Sequence, residues 1–252
     1  MDPTSSSSAS TSASSGSEAR VVAPDRGLAW WTDAWQLFTR SALLWVALGA
    51  MLLVGFGVLS LLPLVGGLAV SLLTPVFVGS WMLAARKVAD GGALELADLF
   101  SAFKGSYLTP LIVQGALLLA AVIVMGLVAG VLGFGALFGL GGASPSMGGM
   151  MAAMGAGFAA LLAILVLGAV VSMALWFAPA LVVFRGAQPV DALRASALAV
   201  LKNWLPCLVY GLIYIVAAIV ASIPFGLGWF VLVPVVLLTM YVSYRDVFEA
   251  AA

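Results

Sequence analysis

The sequence predicts an all-α membrane protein, a polytopic bundle of six transmembrane helices arranged as three hairpins. First, 64 % of the 252 residues are hydrophobic and 8 % are charged, whereas soluble domains are roughly 45–50 % apolar and about 25 % charged. Second, the charged residues lie in four patches, which are separated by the uncharged stretches 41–85, 105–184 and 203–244. Third, each uncharged stretch has a Gly/Pro-rich break near its middle, which divides it into two helices.

The apolar segments between these breaks are long enough to cross a bilayer. A hydrocarbon core about 30 Å thick requires about 20 helical residues, and lipid offers backbone groups no hydrogen-bond partner, so each span must be a helix. Residues 139–149, GLGGASPSMGG, predict a loop between the third and fourth spans. The predicted spans are about 42–62, 68–85, 108–138, 155–184, 205–223 and 227–244, within a transmembrane domain of residues 27–248.

A short amphipathic helix is predicted before each hairpin. Apolar residues recur there at helical spacing and a basic residue follows each stripe, a pattern typical of helices that lie in the membrane interface. We expect the apolar faces to contact lipid, and the alternative is that the three helices pack on each other as a cytoplasmic cap. The stripes are Trp31, Ala34, Trp35 and Phe38; Leu96, Leu99, Phe100 and Phe103; and Val190, Leu193, Ala197, Val200 and Leu201.

The later span of each hairpin contains a proline in an apolar setting, at Pro75, Pro179 and Pro234. The chain is therefore interpreted as three copies of one unit: short helix, span, turn and proline-bearing span. Proline removes a backbone donor and kinks a helix, so we expect these residues to shape the bundle; the alternative is that the kinked spans surround a cavity. Gly126 and Gly130 form a GxxxG motif, which predicts close helix packing on the third span.

All ten Lys and Arg residues fall on one side of this topology. The positive-inside rule therefore predicts that both termini are cytoplasmic. Trp45, Trp81 and Trp204 near that side, with Trp229 near the other, fit an aromatic belt. The Ser-rich segment 1–26 has almost no large apolar side chain, which predicts a disordered cytoplasmic tail.

Two groups of residues are candidates for function. Basic and aromatic residues beside the predicted short helices are expected to contact anionic lipid headgroups. The few polar residues within spans are candidates for lining a cavity, although hydrogen bonding between helices is the commoner role of such residues. The headgroup candidates are Arg40, Lys104, Lys202, Trp31, Trp35 and Trp204, and the cavity candidates are Gln114, Tyr210 and Tyr214.

The sequence offers no recognisable catalytic or cofactor constellation. It contains no histidine, so a Ser-His-Asp arrangement is impossible, and no Asp, Glu, Lys or Arg lies within a predicted span, which argues against proton-coupled transport. The formal net charge of zero gives no indication of nucleic-acid binding. We therefore expect a protein that is not an enzyme and has no cofactor. Its expected partner is the lipid bilayer, and a protein partner or homo-oligomer stays open.

A cluster of methionines on the predicted outer loop leaves one metal site as an alternative. Met147, Met150, Met151 and Met154 fall at positions i, i+3, i+4 and i+7, and thioethers are soft ligands that select Cu(I). Methionine is also a common apolar filler, and no His or charged residue accompanies the cluster. We therefore expect no metal, with Cu(I) binding as the alternative.

The segment 176–204, WFAPALVVFRGAQPVDALRASALAVLKNW, resembles a segment of uncharacterised six-helix bacterial membrane proteins. Those proteins are similar to the membrane domain attached to some glycerophosphodiester phosphodiesterases. The residues that carry the resemblance are Pro179, Pro189-Val190-Asp191-Ala192-Leu193, Ser196 and Lys202-Asn203-Trp204. GLAWWTDAWQLFTRS (27–41), PLVGGL (63–68) and LLTPVFVG (72–79) resemble a narrower proteobacterial family of unknown function.

The resemblance covers residues 27–248 and implies a multi-pass protein of the bacterial inner membrane. It implies no activity, because the His, Glu and Asp metal ligands of a phosphodiesterase have no counterpart in this chain. Two functions stay open. The first is a non-enzymatic accessory or membrane-organising protein that contacts anionic lipid or a membrane partner. The alternative is a transporter or channel for a small neutral solute or lipid, which would require a continuous cavity among the spans.

Overall fold

A computed structural model describes residues 19–140 and 146–249, with side chains described for 19–134 and 146–249. The described residues form helices and no β-strand, which confirms the all-α prediction. Two 3-10 helices, Leu96–Phe103 and Gly105–Tyr107, precede the fourth α-helix. The α-helices are α1 (Arg26–Thr39), α2 (Ala42–Ser60), α3 (Val65–Ala89), α4 (Leu108–Leu140), α5 (Met147–Arg185), α6 (Pro189–Lys202), α7 (Trp204–Ser222) and α8 (Trp229–Phe248).

Helices α2, α3, α4, α5, α7 and α8 are each long and apolar enough to cross a membrane, which confirms the prediction of a six-helix bundle. Helices α4 and α5 contain 33 and 39 residues, whereas a bilayer core requires about 20. At 1.5 Å per residue, their lengths are about 50 and about 58 Å. The hairpin of α4 and α5 therefore projects beyond the other two hairpins, on the side opposite the charged residues.

The prediction of an outer loop at 139–149 was wrong for residues 147–149, because α5 begins at Met147. Ser146 caps the helix: its Oγ accepts a hydrogen bond of 3.1 Å from the N–H of Gly149. This cap and the helix-forming Met and Ala residues that follow outweigh the two glycines of the first turn. The four clustered methionines consequently lie on α5 and not on a loop, and all four are exposed. Residues 141–145 lie outside the described residues.

The three proline-bearing helices α3, α5 and α8 contact one another at the centre of the bundle. Pro75, Pro179 and Pro234 are buried. Most buried positions of α5 fall in 177–183, and those of α8 begin at Leu232, so the core lies in the half of the bundle nearer the charged residues. The prolines therefore sit within or at the border of this core, as expected for residues that shape the bundle.

The second and third short helices each pack against the hairpin that comes before them in the chain, and the first short helix, α1, packs against the last hairpin. The 3-10 helix Leu96–Phe103 packs mainly on α3, α6 packs mainly on α5, and α1 closes the ring by packing on α8 and α7. Hydrogen bonds fix all three contacts: Ala102 N–H donates to Ser80 Oγ over 3.0 Å, Phe177 N–H donates to Ser196 Oγ over 2.9 Å, and Trp31 Nε1 donates to the Tyr210 carbonyl over 3.4 Å. The short helices are thus inserted between spans and do not form a cap on one another.

The predicted disordered tail, 1–26, differs from the structure at its end. Residues 1–18 lie outside the described residues. The N–H of Val22 donates to Asn203 Oδ1 over 2.8 Å, and Asn203 Nδ2 donates to the Arg20 carbonyl over 3.0 Å. Arg26 already belongs to α1. Residues 19–26 are therefore held on the bundle, because Asn203 supplies both a donor and an acceptor to the backbone of this segment.

Two packing predictions were wrong. Trp45 and Trp81 are buried and their rings lie 5.1 Å apart, so they belong to the core and not to an aromatic belt. A Cβ placed on Gly126 or Gly130 would meet none of the described residues within 4 Å, so the GxxxG motif makes no close contact with the part of the chain that the structure describes. The close approach of α4 to α3 instead occurs at Gly115, where a Cβ would lie 2.4 Å from the Leu72 carbonyl oxygen.

Candidate functional site

The charged residues of the described chain meet at one end of the bundle, which we call the charged face. We define it as residues 19–26, 86–107, 185–204 and 245–249, together with Arg40 and the polar side of α1. Contacts between distant parts of the chain bring these segments together. Arg86 forms an ion pair with Glu249, and its guanidinium carbon lies 3.6 Å from the ring centre of Phe184. The Arg185 guanidinium donates to the Phe248 carbonyl. The C-terminal residues thus join the ends of α3 and α5.

Asp246 organises the part of the charged face beside α1. Its Oδ2 accepts from Arg26 Nε over 2.6 Å and from Trp30 Nε1 over 2.9 Å, and its Oδ1 lies 3.4 Å from Arg20 Nη2. The hydrogen bond to Asp246 raises the pKa of Arg26, with a smaller contribution from the nearby charge of Asp33. Asp246 therefore pairs with two arginines, leaving one net positive charge, and fixes the orientation of α1 against α8.

A second group of ion pairs holds the 3-10 helix Leu96–Phe103. Lys87 Nζ lies 3.1 Å from Asp98 Oδ2 and 3.3 Å from Glu95 Oε1. The N–H of Glu95 donates to Asp98 Oδ2 over 2.8 Å, one half of a capping box at the start of this helix. The stripe at residues 96–103 was predicted from spacing that fits an α-helix. It forms a 3-10 helix, whose i, i+3 periodicity the same apolar residues also satisfy.

Three basic residues at equivalent places in the repeats differ from these paired cations. Arg40, Lys104 and Lys202, which we call the junction cations, each lie where a short helix joins the first span of its hairpin. All three are exposed, and among the described residues none of them forms an ion pair with a carboxylate. Arg40 Nη1 donates a hydrogen bond of 3.4 Å to the Val88 carbonyl. Their charges are therefore available to an anion outside the protein.

The tryptophans that were predicted beside these cations have different environments. Trp31 is partly buried and stacks on Tyr210 with ring centres 5.1 Å apart. Trp35 is 50 % exposed and stacks on Phe38 at 5.3 Å. Trp204 is 61 % exposed and follows Lys202 by two residues. Trp35 and Trp204 are therefore available to lipid, whereas Trp31 mainly joins α1 to α7.

The predicted cavity residues do not come together. Gln114 is fully buried and its Nε2 donates to the Ala178 carbonyl over 3.2 Å. Tyr210 accepts a hydrogen bond of 3.2 Å from Thr239 Oγ1 and lines a cavity of about 180 Å³ beside Cys207 and Trp176. Tyr214 packs against the core as a partly buried residue. Gln114 and Tyr210 thus hold helices together, as is commoner for polar groups within a membrane.

Two larger cavities lie on either side of α1. The first, the charged cavity, has a volume of about 320 Å³ and contains four arginines and three carboxylates. The second, the apolar groove, has a volume of about 680 Å³, is open at the surface and has an almost wholly apolar wall. The charged cavity is lined by Arg20, Arg26, Asp33, Gln36, Leu37, Arg40, Ala89, Tyr241, Val242, Arg245, Asp246 and Glu249. The apolar groove is lined by Trp31, Thr32, Trp35, Gln36, Ala217, Val220, Ala221, Pro224, Gly228, Val231, Leu232 and Val235.

Sequence reasoning missed several residues that build this region. Trp30, Asp246 and Asn203 fix α1 and the segment before it, and Ser196 fixes α6 on α5. Ser196 and Asn203 belong to the segment 176–204 that carried the family resemblance, so that motif held the available signal. No signal in the sequence indicated Asp246, because one acidic residue after a span cannot be told from a residue that is merely exposed to water at the end of a helix.

The comparisons with known proteins agree with a membrane bundle. The comparison with solved structures found no match. A probable inner membrane protein of Burkholderia thailandensis is 30 % identical over 217 residues, which cover 82 % of this chain and 78 % of that protein. Residues 29–250 match the DUF7847 domain of unknown function, a range that includes α2 to α8 and all but the first turn of α1. The chain therefore belongs to the DUF7847 family.

Proposed function

We propose that this chain is a non-enzymatic protein of the bacterial inner membrane that contacts anionic lipid headgroups through its charged face. The observation that carries the proposal is the set of junction cations, one in each repeat, exposed and without a carboxylate partner among the described residues. Basic residues near an anionic leaflet attract it by about 1 kcal/mol each. A protein with three such sites around its perimeter would organise anionic lipid around itself.

The exposed apolar residues of the short helices support the same proposal. One side of each helix is buried in the bundle, and another side carries large exposed hydrophobic residues. Such residues gain contact with acyl chains at the depth where basic side chains reach the headgroups. The exposed residues are Leu28 and Trp35 on α1, Leu96 and Phe100 on the 3-10 helix, and Val190, Leu198 and Leu201 on α6.

The polar groups of the spans favour this function over transport of a neutral solute. Gln114 bonds α5, and the hydroxyls of Thr74, Ser172 and Ser222 donate to carbonyls of their own helices. Each of these groups therefore donates a hydrogen bond within the protein. The absence of histidine from the sequence is consistent with a role without catalysis.

We place the charged face in the cytoplasm, since all ten basic residues lie on that side of the topology, and the relative's description as a probable inner membrane protein supports the location. A membrane partner protein or a second copy bound through the exposed faces is compatible with this role. The likeness to the membrane domain of glycerophosphodiester phosphodiesterases stays a sequence-based prediction and carries no part of the proposal.

The test is the lipid composition around the protein when all three junction cations are changed to glutamine. The protein would be extracted from bacterial membranes together with its surrounding lipid in a styrene–maleic acid polymer, and the anionic fraction of the lipid measured by mass spectrometry. Wild type is expected to be enriched in anionic lipid over the bulk membrane. Since each site contributes about 1 kcal/mol, the Arg40→Gln, Lys104→Gln, Lys202→Gln variant should lose roughly fivefold in preference per site.

The matched control keeps every charge and changes only the side chains: Arg40→Lys, Lys104→Arg and Lys202→Arg. This variant should retain the enrichment, because the attraction depends on charge near the surface. High salt should weaken the enrichment of wild type, since exposed charges are screened. An anionic fraction in the glutamine variant equal to that of wild type would overturn the proposed function.

A further inference from the structure

The charged cavity and the apolar groove follow one another along α8 and share one residue of α1. The groove contacts α8 at Val231, Leu232 and Val235, and the cavity contacts it from Tyr241 onward. Gln36 lines both. Tyr241 follows Val235 by six positions, about 9 Å along a helix. An apolar region is thus followed by a charged one over a short distance, which is the order of chain and headgroup in a lipid.

We propose that the two cavities together hold one anionic glycerophospholipid, with its phosphate in the charged cavity and one acyl chain in the apolar groove. The inference rests on the proposed function, because it too requires an anionic leaflet at the charged face. It concerns one retained molecule at a defined site. Of the junction cations only Arg40 lines that site, whereas Lys104 and Lys202 act on the lipid around the perimeter.

The charges of the cavity leave two arginines for a phosphate. Asp246 is occupied by Arg20 and Arg26, and Asp33 lies 3.5 Å from Arg26. Glu249 is paired with Arg86, which lies outside the cavity lining. Arg245 approaches Glu249 only to 3.8 Å and its side chain is 56 % exposed. Arg40, with no carboxylate partner among the described residues, and Arg245 are therefore the cations that an anion would meet.

The groove has the shape and chemistry of a site for a chain. Helices α7 and α8 approach closely at their turn, where a Cβ on Gly228 would lie 2.4 Å from the Ala221 Cα, and α1 packs against both helices at their other ends. Trp31 and Trp35 of α1 line the end of the groove nearest the charged face. Its volume, about 680 Å³, lies within the roughly 300–1,000 Å³ typical of ligand sites.

The two cavities are expected to contribute differently to lipid binding, because one contacts the acyl chain and the other contacts the phosphate. A chain that enters the groove leaves one apolar environment for another, so its transfer supplies little driving force. Hydrogen bonds between arginine and phosphate are charge-assisted and stronger than neutral ones. Which lipid binds should therefore depend on its headgroup, whereas holding that lipid at this site requires that the groove accept its acyl chain.

The experiment uses the full chain in mild detergent after its lipid has been removed by detergent exchange. The probes are phosphatidylglycerol, phosphatidylcholine with the same chains, and glycerol 3-phosphate, and native mass spectrometry measures the bound species. We expect one phosphatidylglycerol per protein, bound about tenfold more tightly than phosphatidylcholine. Both lipids carry the same phosphodiester, but phosphatidylcholine adds a quaternary ammonium, which the unpaired arginines repel. Glycerol 3-phosphate, which has the charge but no chain, should not be retained, because it stays in water, where its phosphate is already hydrated and arginine contacts alone give a small net gain.

Two matched variants assign the chain to the groove. Ala217→Phe places a ring inside the groove and should weaken phosphatidylglycerol binding about tenfold, in line with a clash of about 1.4 kcal/mol or more. Ala218→Phe makes the same change at the next residue, which does not line the groove, and should leave binding unchanged. Arg245→Gln, a substitution at an exposed side chain, should reduce phosphatidylglycerol binding to the level of phosphatidylcholine, and it tests the site independently of any folding defect at Ala217.

The outcomes separate this inference from the proposed function. Equal binding of the two phospholipids, retention of glycerol 3-phosphate, or wild-type binding by both Ala217→Phe and Arg245→Gln would overturn the bound-lipid site. Lys104→Gln and Lys202→Gln should leave the retained lipid in place while they reduce the surrounding anionic lipid. Loss of the retained lipid in Arg245→Gln with no effect of the junction cations on surrounding lipid would support the site and overturn the proposed function.

Discussion

The hydroxyl of Ser196 on α6 bridges Phe177 and Met173 on α5. Its Oγ accepts the N–H of Phe177 over 2.9 Å and donates to the carbonyl of Met173 over 2.7 Å. Those two backbone groups form one i to i−4 pair of α5, two residues before Pro179, which has no N–H of its own. A side chain from another helix thus takes part in the backbone ladder next to a proline, a combination that bends helices.

Ser196→Ala should destabilise the protein by about 1–3 kcal/mol, because it leaves buried backbone groups of α5 without this partner. Unfolding by titration with a denaturing detergent would measure the change. Ser172→Ala is the matched control: Ser172 is exposed and its hydroxyl donates only to carbonyls of its own helix, at Gly168 and Ala169. Equal stability of the two variants would show that the bridge contributes nothing.

Asn203→Ala should release residues 19–25 from the bundle. Asn203 Oδ1 and Nδ2 hold the backbone of Val22 and Arg20, and an unpaired segment of this kind is open to proteolysis. Trypsin should therefore cleave after Arg20 faster in the variant than in wild type, as followed by mass spectrometry. Asn203→Asp keeps the acceptor for Val22 and should give an intermediate rate. A rate in Asn203→Ala that matches wild type would contradict the clamp.

Gly115→Ala and Gly126→Ala should change stability in opposite directions, although both lie on α4. A Cβ at Gly115 would lie 2.4 Å from the Leu72 carbonyl oxygen, so α4 must move away from α3, at a cost of about 1–3 kcal/mol. A Cβ at Gly126 meets no atom of the described residues within 4 Å, and replacing a helical glycine with alanine stabilises by roughly 0.5–1 kcal/mol. The measurement is the same unfolding titration. Stabilisation by Gly115→Ala would refute the close contact.

Cysteine labelling tests the proposed orientation. Cys207 is the only cysteine of the chain, so a Cys207→Ser background allows single sites to be introduced. Leu227, 64 % exposed in the turn between α7 and α8, and Arg194, exposed on the charged face, lie on opposite sides. In intact cells a membrane-impermeant maleimide should label Leu227→Cys, and it should label Arg194→Cys only after lysis. The reverse pattern would place the charged face outside the cytoplasm.

The spans were predictable because the hydrophobicity of a segment indicates whether it lies in lipid or in water. Which helices pack against each other was not predictable. Helix α2 is apolar all round, so no pattern distinguishes buried Trp45 from lipid-facing Leu43. The junction cations were found from their position, since a basic residue ends each stripe. The charged cavity was not, because Asp246 and Arg26 are 220 residues apart in the chain and meet only through the fold.

The cyclic packing of the short helices has a consequence for the order of assembly. The chain is synthesised from its N-terminus, so α1 is made before any span, yet the surfaces of α7 and α8 on which it packs are made last. Helix α1 can therefore pack against the bundle only after the third hairpin has formed. During that interval Trp30 lacks Asp246 and Trp31 lacks Tyr210. Helix α1 is thus the last helix to pack into the bundle. In a chain truncated before α7 it would lack the surfaces on which it packs.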